Sequence, residues 1–142
     1  MSLTLVENTN TTLVPNSNVV LGGTGANRSL TATAVSGRTG TAVLTGTVTD
    51  GQQATGAPLT VKVRVGGNGN DTLVGDANSD ILLGQNGDDT LRGVGGKDLL
   101  CGARGNDRLT GGTGADYFGG GSGTDTATDF TTSQGDTMAG IP

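Results

Sequence analysis

The sequence predicts an all-β chain in two main parts. A small or truncated antiparallel β-domain is expected over residues 1–65, then a solenoid of very short strands over residues 66–128, with residues 129–142 as a C-terminal cap or tail. Three observations carry this expectation. Residues 66–128 divide into seven nonamers that keep glycine, aspartate and an apolar residue in phase. Residues 59–65 alternate apolar and polar side chains with the two-residue period of a half-buried strand. The composition, with 28 glycines and 2% aromatic residues, cannot fill a deep core, and each glycine loses more backbone freedom on folding than any other residue.

In "LTVKVRV", Leu59, Val61, Val63 and Val65 face one way and Thr60, Lys62 and Arg64 the other, as in a strand with one buried face. "TAVLTGTVT" (residues 41–49) is a second β-rich run, interrupted by Gly46. The connector "DGQQATGAP" is polar and opens on the turn-forming pair Asp50 and Gly51, so the two runs predict an antiparallel pair joined by a long loop. "SLTLVE" and "RSLTATAV" (residues 28–35) are weaker strand candidates. A full β-sandwich takes about 100 residues, which makes this half a truncated or unusually small module. "GGTGANRSL" at residues 22–30 looks like a nonamer, but Arg28 and Ser29 spoil its strand positions and it is out of phase.

The seven nonamers are GGNGNDTLV, GDANSDILL, GQNGDDTLR, GVGGKDLLC, GARGNDRLT, GGTGADYFG and GGSGTDTAT. The first position is always glycine, and the sixth always aspartate: Asp71, Asp80, Asp89, Asp98, Asp107, Asp116 and Asp125. The eighth is Leu73, Leu82, Leu91, Leu100, Leu109, Phe118 and Ala127. The second position departs from glycine at Asp76, Gln85, Val94 and Ala103, and Asn78 replaces the fourth-position glycine. Each unit reads as a glycine turn, a carboxylate at its end, and a strand over positions seven to nine with only the eighth residue inward. Two units make one coil. Leu73, Leu91, Leu109 and Ala127 then stack under one sheet, and Leu82, Leu100 and Phe118 under the other. Such units are stable only against their neighbours.

This arrangement leaves Asp71, Asp89, Asp107 and Asp125 in one column and Asp80, Asp98 and Asp116 in another. Rungs of a sheet lie about 4.8 Å apart, so bare carboxylates at that pitch repel one another and the carbonyl dipoles that converge beside them. A hard divalent cation between rungs reverses the sign of each of these terms. Oxygen-only ligands without thiolate or imidazole select calcium, whose 6–8 ligands suit an irregular cage. The intervals between aspartates allow up to five fully built calcium sites. The carbonyls of turn residues such as Gly84, Asn86, Gly93, Gly95, Gly102, Arg104, Gly111 and Thr113 are expected to complete them. The central rungs, around Asp89, Asp98, Asp107 and Asp116, should bind best, while Asp76 and Asp88 read as solvated surface charge.

The nonamers follow GG-x-G-x-D-x-U-x, with U apolar, and residues 66–128 thereby resemble the RTX (repeats-in-toxin) haemolysin-type calcium-binding nonapeptide repeats. The resemblance implies a parallel β-roll, with calcium held in the turns by aspartates and backbone carbonyls. It also implies export by a bacterial one-step secretion machinery through a C-terminal signal, hence a secreted, extracellular location, in keeping with an N-terminus that lacks a cleavable signal peptide. The ending "DTATDFTTSQGDT" resembles the segment that follows such repeats, where Phe130 would cover the open end. Residues 1–65 weakly resemble the end of a cadherin-like or Ig-like bacterial module.

Charge and composition narrow the function further. The net charge of −5 is uneven: residues 1–65 balance at +2 and residues 66–128 at −5. That distribution argues against a nucleic-acid partner and for a cationic one. No apolar run is long enough to span a membrane. The chain has no histidine, which removes the common hydrolase triads and the H-E-x-x-H zinc site. Seven equivalent aspartates look like ligands rather than a catalytic acid and base, so no enzyme is expected. Cys101 is the single cysteine and excludes an intrachain disulfide. The calcium-bound roll reads as a structural module that folds on ion binding, part of a larger secreted protein. The alternative is an adhesion or ligand-binding module for a surface or carbohydrate. An apolar strip of Ile81, Leu83, Leu99, Cys101 and Tyr117 marks either a homodimer or neighbouring-domain contact, or scattered surface residues.

Overall fold

The computed structural model describes residues 2–22, 29–35, 38–49 and 59–141. The expected loop at 50–58 and most of the nonamer-like stretch at 22–30 lie outside these residues. The N-terminal half contributes β1 (Ser2–Asn8), β2 (Val19–Gly22), β3 (Ser29–Ala32), β4 (Gly40–Thr49) and β5 (Leu59–Val65). The repeats contribute β6 (Thr72–Val74), β7 (Asp80–Asn86), β8 (Thr90–Gly95), β9 (Leu99–Arg104), β10 (Arg108–Thr113), β11 (Tyr117–Ser122) and β12 (Thr126–Ala127). A last strand, β13 (Thr137–Ala139), follows them.

The repeat strands alternate between two parallel sheets. β7, β9, β11 and β13 lie in one, and β6, β8, β10 and β12 in the other. Residues eighteen apart stand in register, as Leu82 with Leu100 and Leu100 with Phe118. The eighth-position side chains therefore form the interior stack. Leu82, Leu91, Leu100, Leu109 and Phe118 have no exposed surface, and Leu73, Ala127, Phe130 and Ile141 pack against them. Phe130 meets Phe118 edge-on at 6.0 Å between ring centres. This is an all-β parallel β-roll preceded by a small antiparallel sheet.

β7 to β11 are longer than the three residues expected. They run on through the first three positions of the next nonamer, as in β8, where Leu91, Gly93 and Gly95 are buried and Thr90, Arg92 and Val94 exposed. The first-position glycine is thus an inward strand residue and not the turn former. A side chain there has no room, because a β-carbon on Gly93 would lie 2.5 Å from the Gly111 carbonyl oxygen and closer still to the Asp98 carboxylate. The turn itself falls at the fourth position, where Gly105 has φ +125, a backbone that L side chains avoid.

β4 pairs antiparallel with β5, Gly40 opposite Val65 and Gly46 opposite Leu59, and β1 pairs antiparallel with β4. β2 and β3 form a separate antiparallel pair. Val63 and Val65 join Leu13, Val14, Ala42 and Leu44 in a second core. This sheet does not stop at the repeats. β5 pairs parallel with β7, Val63 beside Ile81 and Arg64 beside Leu82, giving one seven-stranded sheet in the order β1-β4-β5-β7-β9-β11-β13. Ile81 and Leu83 pack on the N-terminal core, while Lys62 and Arg64, on the opposite face of β5, reach Asp76 and Asp80.

That packing gives part of the expected apolar strip a neighbour within the chain. Ile81 and Leu83 are taken up within the chain, Leu99 and Tyr117 remain about 40% exposed, and Cys101 is half-buried with its thiol pKa raised by burial. At the far end, Asp129 Oδ1 and Oδ2 accept from the N–H groups of Gly111 (2.9 Å) and Gly112 (2.7 Å), where a further rung would otherwise offer carbonyls.

Candidate metal centre

Each repeat delivers its aspartate at the exit of the glycine turn, one residue before or at the start of a strand. Asp80, Asp89, Asp98, Asp107, Asp116 and Asp125 are all less than 5% exposed, and Asp71 is half-buried. Burying so many carboxylates is costly unless each oxygen has a partner. One oxygen of nearly every carboxylate does. The N–H of Asp71 donates to Asp89 Oδ1, that of Asp89 to Asp107, and that of Asp107 to Asp125, at 2.8–2.9 Å. In the second column Asp80 donates to Asp98, Asp98 to Asp116 and Asp116 to Asp136, again at 2.8–2.9 Å. Asp136 extends this column by a rung that the nonamer count passes over. Twenty residues separate it from Asp116 instead of eighteen. The signal was "GDTMAG", residues 135–140, which repeats the aspartate, apolar, glycine order.

The second oxygens divide the carboxylates into two groups. Asp71 Oδ2 accepts from Gly67 N at 2.6 Å, Asp80 Oδ2 from Asp76 N at 2.8 Å and Asp136 Oδ2 from Thr131 N at 2.9 Å. The Oδ2 atoms of Asp89, Asp98, Asp107, Asp116 and Asp125 are buried and have no hydrogen-bond partner. In those five repeats the second residue has a positive φ, from +84 at Ala103 to +109 at Gly121, whereas neither Gly67 nor Asp76 does. The unpartnered oxygens sit beside the first-position glycines, where a carbonyl from the next rung converges. A β-carbon on Gly84 would lie 2.9 Å from the Gly102 carbonyl oxygen, with Asp89 Oδ2 nearer still.

Burial raises the pKa of Asp89, Asp98, Asp107 and Asp116, and Asp98 is pushed up to about 7. Neighbouring carboxylates in the column add to the rise, Asp116 and Asp80 in the case of Asp98. Buried anionic oxygens lacking donors, arrayed with carbonyl oxygens, are a donor set that fits a hard cation such as calcium. Among the described residues no three His, Cys, Asp or Glu side chains gather around one point, so an ion here would draw on carbonyls as much as carboxylates. Of the carbonyls expected to take part, those of Arg104 and Thr113 accept from Gly87 N and Gly96 N at 2.9 Å, each keeping a second lone pair. Those of Gly84, Gly93, Gly102 and Gly111 lie against the first-position glycines of the preceding rung. Asn86 and Gly95 hold the equivalent third positions at the ends of β7 and β8.

Asp76 and Asp88 do more than carry surface charge. Asp76 pairs with Lys62 and accepts from Asn78 N at 2.8 Å, and the Lys62 contact holds its carboxyl well below the usual range. Asp88 belongs to a ladder along the outside of one turn column. Asp88 N donates to Asn70 Oδ1, Asn106 N to Asp88 Oδ1 and Thr124 N to Asn106 Oδ1, at 2.7–2.9 Å. The sequence carries the signal as small polar acceptors at the fifth position of alternate nonamers.

A family model described as the RTX calcium-binding nonapeptide repeat (4 copies) matches residues 65–100 and 93–127. No curated protein and no solved structure matches the chain.

Proposed function

Because residues 65–127 are RTX calcium-binding nonapeptide repeats, we propose that they bind several calcium ions and fold on binding them, as a structural module of a larger secreted protein. The observation that carries this reading is the set of five buried carboxylate oxygens without partners, three in one column and two in the other. Calcium would supply positive charge to the Oδ2 atoms, which otherwise have no donor and lie near carbonyl oxygens of the next rung. The aspartates Asp89, Asp98, Asp107, Asp116 and Asp125 would hold it, with carbonyls from the first-position glycines of adjoining rungs.

The energetics support a folding role. Each coil buries two eighth-position side chains and orders many glycines, so its net stability without ions is small. At free calcium about tenfold above Kd, each filled site contributes about 1.4 kcal/mol, and extracellular calcium modules bind at roughly 10⁻⁴–10⁻³ M. Several such sites together rival the whole stability of a small domain. In a cell interior with little free calcium the roll would stay open, and outside it would close. That difference favours export of an unfolded chain through a one-step bacterial secretion machine.

The repeats are structural, not catalytic. The chain contains no histidine, and the aspartates repeat one environment rather than presenting a distinct acid and base. Circular dichroism during calcium titration tests the proposal. A β-sheet signal that grows cooperatively with calcium and is lost in chelator is expected. A full β signal in excess chelator, unchanged by added calcium, would refute it.

A further inference from the structure

We propose that calcium is confined to the five turns of Asp89, Asp98, Asp107, Asp116 and Asp125, and that the aspartates at the two ends of the roll are held by the chain itself. This rests on the calcium reading above. It departs from the equivalence of the seven sixth-position aspartates that the repeat pattern suggests.

Asp80 is the clearest case. Its side chain is fully buried, yet both oxygens are taken: Arg64 Nη1 donates to Oδ1 at 2.7 Å and Asp76 N to Oδ2 at 2.8 Å. In the rungs that follow, Oδ1 accepts from the aspartate N–H of the rung before. At Asp80 there is no earlier repeat in that column, and the guanidinium of Arg64 stands in that place. Arg64 is a permanent cation carried by β5, so a calcium ion at Asp80 would have to displace it or be buried beside a like charge. Lys62, on β5 with Arg64, neutralises Asp76. Asp71 turns its Oδ2 to Gly67 N, and at the other end Asp136 has both oxygens on N–H groups.

The divide follows backbone geometry. Oδ2 is buried and unpartnered in the five repeats whose second residue has positive φ, whereas in the two where φ is not positive it accepts a backbone N–H. The ends are therefore built as ion-free caps and the interior as the ion-requiring part. β7 belongs to the N-terminal cap twice over, through Arg64 on one face and through Ile81 and Leu83 on the N-terminal core on the other.

Calorimetric titration of the intact chain with calcium chloride separates the two classes. Asp98→Asn should lower the number of ions bound by at least one, while Asp80→Asn leaves it unchanged. If Asp80→Asn lowers the count as Asp98→Asn does, the partition is overturned although the calcium reading stands. If neither the native chain nor the variants bind calcium, both are overturned. Hydrogen exchange of the unaltered chain in chelator is a second readout that needs no variant to fold. Amides of β4, β5 and β7 should stay at least tenfold more protected than those of β8–β11. Equal, rapid exchange in both sets would overturn the ion-free N-terminal cap.

Discussion

Gly93 and Val94 are neighbours in β8 with opposite constraints. Gly93 lies inward against the Asp98 carboxylate and the Gly111 carbonyl, and backbone cannot yield as a flexible side chain would. Gly93→Ala should therefore destabilise the calcium-bound roll by about 3 kcal/mol, the upper end of ordinary overpacking. Val94 is exposed, but its φ of +94 is one that a β-branched residue resists. Val94→Gly removes strain of about 1–2 kcal/mol, partly offset by about 0.5–1 kcal/mol of added chain freedom in the unfolded state. A net gain of roughly 1 kcal/mol should follow. Urea unfolding in excess calcium checks both, since the two substitutions move the midpoint in opposite directions. Four of the seven repeats depart from glycine at the second position. Gln85, Val94 and Ala103 nonetheless keep the positive φ, and among the non-glycine second residues only Asp76 does not.

At the level of the strand, each rung rests on one inward side chain, so cost should track depth in the stack. Leu100 has no exposed surface and is in register with Leu82 and Phe118. Leu100→Ala should cost about 2–5 kcal/mol. Leu73 stands at the first rung of its sheet, is only half-buried and has a single strand neighbour, β8. Leu73→Ala should cost about half as much or less, and paired thermal melts in calcium would show the ranking. The stack was legible in the sequence because a nine-residue period leaves one interpretation of which side chains coincide. The length of the strands was not, since a glycine in a strand has no apolar signature to distinguish it from a glycine in a turn. Asp136 was hidden by two inserted residues. The alternation of residues 59–65 revealed two faces for β5 but could not reveal that β7 lies beside it, because one strand's pattern says nothing about its neighbour. The division of the aspartates into partnered and unpartnered groups depends on φ at another position, which residue identity did not determine.

For the whole molecule, the buried carboxylates set a dependence on pH. Burial raises the pKa of Asp89, Asp98, Asp107 and Asp116, Asp98 to about 7. A raised carboxyl pKa means the folded chain holds its proton more tightly than the unfolded one. The associated stability is complete below the ordinary carboxylate range and is lost as pH rises through the folded value. Asp76 acts in the opposite sense, but its lowered pKa confines the effect to strongly acid solution. Calcium-stripped protein should therefore regain more β-sheet signal at about pH 5 than at about pH 7.5, with excess calcium narrowing the gap. Circular dichroism at the two values, with and without calcium, provides the check. The sixth-position aspartates add a polarity to the turn interior, since there each later carboxylate clasps an earlier amide, Asp107 that of Asp89 and Asp125 that of Asp107. A coil is thus latched by the one that comes after it in the chain. Shortening the protein from its tail would unfasten the next coil in line and let fraying travel forward, whereas trimming from its head would leave the remaining sixth-position latches shut.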